Sequence, residues 1–136
     1  MSARSKARKA ALDLLYEADI RGISVGVILS QRLETLEYLI RDYTRELLTG
    51  VVEHRSRIDE LIVTYSQGWD FDRMPVLDRN ILRLSLFELL WGCDIPEAVA
   101  IDEALELAKT LSTAESSSYI HGVLATISKI KADLVL

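Results

Sequence analysis

Apolar side chains recur along this chain at intervals of three and four, the spacing that puts them on one face of an α-helix. No segment keeps the period-two alternation of a strand for long. The densest run is Asn80 to Leu90. Here Ile81, Leu82, Leu84, Leu86, Phe87, Leu89 and Leu90, followed by Trp91, reach nearly every side of a helix when stepped at about 100° per residue. A helix apolar all round must be buried. The run is too short to span a bilayer and is interrupted by Arg83 and Glu88, so it predicts the central helix of a soluble bundle. Glu88 inside that helix needs a cation or hydrogen bonds, and Arg79, Arg83 or an arginine from another helix is the natural partner.

The rest of the chain reads as helices packed around this one. Ala7, Ala11, Leu14, Leu15 and Ala18 make one face of a helix from Ala3 to about Ile20, with Lys6, Lys9, Asp13, Tyr16 and Glu17 opposite. Gly22 is a permissive C-cap and Ser24 can cap the next helix, whose stripe is Val25, Ile28, Leu29, Leu33 and Leu36. A third helix runs from about Tyr38 or Asp42 to Ser66, on a stripe of Leu39, Tyr43, Leu47, Leu48, Val51, Val52, Ile58, Leu61, Ile62 and Tyr65. Gly50 inside it predicts close approach of another helix or a kink. Gly68 to Pro75 reads as a loop or one short helix with Trp69 and Phe71 tucked onto the bundle, and Cys93 to Pro96 as a turn. Ala100, Ile101, Ala104, Leu105, Ala108 and Leu111 form another stripe. Thr113 to Ser118 is a serine-rich link to a last helix that uses Ile120, Val123, Leu124, Ile127 and Ile130. The pattern predicts an all-α fold of about seven helices in a single domain over residues 1–136.

Composition refines this picture at two points. The lone cysteine, Cys93, has no partner for a disulfide or a zinc site and reads as a small buried apolar residue. Charge is divided along the chain: Arg4, Lys6, Arg8 and Lys9 with no acid in residues 1–10, against 12 basic and 21 acidic side chains in the remainder. A basic terminal helix on an acidic body favours a localised RNA or DNA contact over a general basic coat. Lys9 and Tyr16, seven residues apart, nearly superimpose, and a cation beside an exposed ring can meet a phosphate and stack a base. From the residues alone, the more ordinary reading is that Tyr16 packs on the next helix and Lys9 is solvated.

Reactive chemistry is sparse. His54 and His121 lack metal-ligand spacing, and there is no phosphate-binding glycine loop and no nucleophile elbow. These absences predict a protein that is not an enzyme and has neither metal nor cofactor. No run reaches membrane-helix length, and the basic start lacks a signal-peptide core, which predicts a cytoplasmic protein.

Four segments in order carry a family resemblance: Ile81 to Leu89, Asp94 to Pro96, Ile101 to Lys109 and Tyr119 to Leu124, joined by the N-terminal Lys6 to Tyr16. Together they resemble the transcription antitermination protein NusB family over essentially the whole chain. The resemblance implies two small packed helical bundles, pairing with NusE, and binding of boxA RNA in ribosomal RNA leaders, in support of RNA polymerase passing terminators. It implies phosphate contacts from Arg4, Lys6, Arg8 and Lys9, a place for Tyr16 near RNA, and an RNA-facing last helix with Glu115, Ser116, Tyr119 and Gly122. Asp78 matches an acidic position facing NusE. His121 stands where the family usually has asparagine, and Ser118 where relatives are often basic, which bears on base preference and phosphate affinity. Relatives occur as monomers and homodimers, so a homodimer burying the basic helix is a storage form to test. The alternatives are a stand-alone relative of the RNA-binding domain of ribosomal RNA cytosine methyltransferases and a protein-only helical adaptor.

Overall fold

The computed structural model describes residues 2–35 and 39–136, and six α-helices order them: α1 (Ala3–Arg21), α2 (Val25–Leu33), α3 (Asp42–Tyr65), α4 (Val76–Trp91), α5 (Glu97–Leu111) and α6 (Ala114–Ile130). Single 3-10 turns at Phe71–Arg73 and Lys131–Asp133 complete the elements, and no strand occurs among the described residues. The helices fall into two groups, α1 to α3 and α4 to α6, with α4 packed on α1, α3, α5 and α6. Its burial on all sides is as expected: Asn80 to Leu86 and Glu88 to Leu90 are all buried. One continuous apolar core links both groups.

Local chemistry sets the helix ends. Ser2, Ser24 and Thr113 accept the backbone N–H of Ser5, Val27 and Ser116, giving α1, α2 and α6 their N-caps. Gly22 ends α1 at φ 67°, where its N–H reaches back to Ala18 and Asp19. Gly50 has the close-approach role: a Cβ there would lie 2.1 Å from the Phe87 ring, so α3 and α4 can touch only because the methyl is missing. Beside that contact His54 stacks on Trp91, with ring centroids 4.0 Å apart.

Several expectations are corrected. Val52 and Leu39 are 53% and 90% exposed, because the α3 stripe is narrower than its apolar positions and Leu39 precedes the helix. Leu33 and Leu111 are exposed at helix ends, and Leu107 takes the buried place on α5. Cys93 is exposed, lying in the turn beyond α4. The serine-rich link is mostly helix, since α6 starts at Ala114 once Thr113 has capped it. Leu36 and Tyr38 lie outside the described residues.

Candidate nucleic-acid interface

On α1, burial divides the four cations. Arg4, Lys6 and Lys9 are exposed, as is Tyr16 at 41%, so Lys9 and Tyr16 do share an outward face. Arg4 pairs with Asp94 at 3.0 Å and lies over the Tyr43 ring, 4.7 Å from its centroid. Lys9 pairs with Asp13 at 3.0 Å. Such surface pairs are weak and exchange readily for a phosphate. Lys6 has no ion pair among the described residues.

Arg8 is the correction. It is 2% exposed, and its Nε and Nη2 donate to both oxygens of Glu88 at 2.8 and 2.9 Å. Burial pushes its pKa down, but the hydrogen bonds and charge of Glu88 raise it further, so the group stays ionised. An arginine in this bidentate grip cannot reach a phosphate. Glu88 therefore finds its cation on α1. Arg83 is committed elsewhere, donating to Asp59 and Asp19 at 2.8 Å each. The signal was present in sequence: Arg8 precedes Leu12 and Leu15 by four and seven residues, which places it on the buried stripe of α1.

A second correction concerns the start of α6. Asp78 is wholly buried, so its carboxylate is not a surface for a partner; its Oδ2 accepts from Ser116 Oγ at 2.6 Å, which also takes Ser116 out of reach of a ligand. Thr113 Oγ1 accepts the Ser116 N–H at 3.0 Å. The positive end of α6 thus already faces the buried Asp78 carboxyl group, with Glu115 in its first turn, which weakens its attraction for phosphate. The remaining α6 positions stay outward. Glu115, His121 and Gly122 are exposed, and Tyr119 is half-buried, its hydroxyl donating to the Gln67 carbonyl and its ring 4.5 Å from that of Trp69.

Lys9 and Ser5 form one wall of a groove whose other wall is α5, including Glu103, Glu106 and Leu111. Thr113, which caps α6, follows Leu111 by two residues, a span of at most about 7 Å. Lys9 and the beginning of α6 therefore both lie near the C-terminal end of α5, whereas Arg4, paired with Asp94, lies beyond its other end.

A family model, the NusB family, matches residues 5–129. The chain belongs to the NusB family. Among relatives, the transcription antitermination protein NusB of Arthrobacter sp. (strain FB24) is 49% identical over 135 residues, covering 99% of each chain. NusB of T. maritima is similar in structure, with a TM-score of 0.82, 34% identity, and 98% of this chain and 99% of that one covered. A crystal structure of the antitermination factors NusB and NusE in complex with dsRNA matches at a TM-score of 0.79 and 26% identity, covering 93% of this chain and 96% of that one. The all-α fold of this chain is thus the NusB fold. Among the described residues no helix is long and apolar enough to cross a membrane.

Proposed function

We propose that this chain is a non-enzymatic transcription antitermination factor that binds boxA RNA of ribosomal RNA leaders together with NusE, inside the cytoplasmic RNA polymerase antitermination complex. Residues 1–136 act as one NusB-like domain in this reading. The carrying observation is the likeness to a NusB solved with NusE and dsRNA, combined with an α1 that turns Lys6, Lys9 and Tyr16 outward. Arg4, Lys6 and Lys9 contact phosphates, Tyr16 offers a ring to a base, and Glu115, Tyr119, His121 and Gly122 border the RNA from α6. Arg8, Ser116 and Asp78 act from inside the fold.

The test is fluorescence anisotropy of the purified chain on leader RNA against a scrambled control, with and without NusE. Sequence-dependent, salt-sensitive binding tightened by NusE is expected. A Lys6→Ala, Lys9→Ala double variant, folded because both side chains are exposed, lowers the salt slope by about 1.4 on single-stranded RNA. Parent-like affinity and slope in that variant would sink the reading. Light scattering addresses the homodimer: a storage form burying α1 loses mass per particle when RNA is added.

A further inference from the structure

The two halves of α1 are attached by different forces. From Ala11 to Ala18 the helix buries Ala11, Leu12, Leu14, Leu15 and Ala18. In the basic half, Ala3 to Lys9, the one buried apolar side chain is Ala7. A single methyl supplies little hydrophobic attachment. The first turns of a helix fray when tertiary contacts do not hold them.

Polar contacts replace the missing apolar ones. Thr44 Oγ1 donates to the Ala7 carbonyl at 3.0 Å, and Ser5 Oγ donates to Glu103 at 2.7 Å. Arg8 makes its bidentate bond to Glu88, and the Tyr43 hydroxyl donates to the same carboxylate. Glu88 is 2% exposed, so neither water nor salt competes with these bonds. The carboxylate sits on α4, the most extensively buried helix of the fold.

We infer that Glu88, supported by Tyr43, is a positioning residue for RNA binding: by gripping Arg8 it latches the basic half of α1 in the orientation that presents Lys6 and Lys9. This rests on the RNA-binding reading above. The latch acts on the fraction of molecules whose cations are in place, and apparent affinity scales with that fraction.

The experiment removes the latch without orphaning a charge, using the full chain carrying Arg8→Met with Glu88→Leu. Replacing a buried ion pair by apolar groups of similar volume leaves folding intact in general. Three quantities are read: melting temperature, amide hydrogen exchange along α1, and affinity for leader RNA. The expected result is a near-parental melting temperature, exchange at residues 5–9 faster by at least about tenfold with residues 12–18 unchanged, and RNA affinity lower by about tenfold. Unchanged exchange at residues 5–9 overturns the inference, and so does loosened exchange with parental affinity. If the double variant does not fold, Tyr43→Phe serves: it keeps the ring beneath Arg4 and the Arg8–Glu88 pair, and a loss of affinity of about threefold in a folded but somewhat less stable chain is expected. Parental affinity in Tyr43→Phe then counts against the latch. A parent chain that shows no affinity dependent on Lys6 and Lys9 would instead fail the RNA-binding reading itself, so the two failures are told apart.

Discussion

Two buried arginines join α1 to α4, one at each end of their antiparallel contact, and they are built differently. At the end near the exposed cations, Arg8 gives its hydrogen bonds to one carboxylate, Glu88, both almost fully buried, and Glu103 adds a longer ion pair at 3.5 Å. At the other end, Arg83 divides its donors between Asp19 and Asp59, which are 18% and 25% exposed, with Asn80 donating to Asp19 at 2.8 Å and Arg55 adding a further pair. The second cluster is redundant and partly solvated, so losing one member leaves others in place. The first hydrogen-bonds its cation to one anion, and removal of Glu88 leaves Arg8 only the longer pair to Glu103. The fewer hydrogen-bonded partners a clamp has, the more each one decides.

The comparison can be broken by mutation. Glu88→Ala is expected to have the largest effect, destabilising by about 3–5 kcal/mol because Arg8 is left charged and buried. Chemical denaturation followed by circular dichroism measures this directly. Asp59→Asn leaves Arg83 with Asp19 and costs about 1–2 kcal/mol. Equal losses in the two variants would erase the proposed asymmetry. A smaller, pH-dependent effect comes from Asp19. Burial pushes its carboxyl up, but the Asn80 hydrogen bond and the guanidinium groups of Arg83 and Arg55 hold it below the ordinary 3.8. A depressed folded pKa means the stabilisation is present above the unfolded value and is lost as pH falls through the folded one. Acid unfolding should therefore steepen below about pH 4 in the parent and flatten in Asp19→Asn, as read by melting temperature against pH. An Asp19→Asn chain with the parent's acid profile would show that the cluster does not draw on this charge.

Legibility in the sequence followed the same division. The apolar periodicity of α4 foretold a helix buried on all sides, and Gly50 foretold a close contact whose identity, Phe87, lay in another helix. Lys6, Lys9 and Tyr16 were legible because their outward face follows from local helical geometry alone. Arg8 was misjudged because a run of four cations reads as one patch, although two apolar residues downstream placed it on the opposite side. Asp78 was misjudged for a related reason: an acid in the first turn of a helix is ordinarily a solvated one, and here it is buried and hydrogen-bonded by Ser116 from α6.

By itself the sequence determined the helices, their caps and the family, since each follows from interactions between residues a few positions apart or from motifs in order. Which charges stay on the surface, and which hold the molecule together from within, was decided only by tertiary structure. A side chain's access to water depends on what packs over it. Arg8 is bonded to Glu88, 80 residues away, and Asp78 to Ser116, 38 residues away.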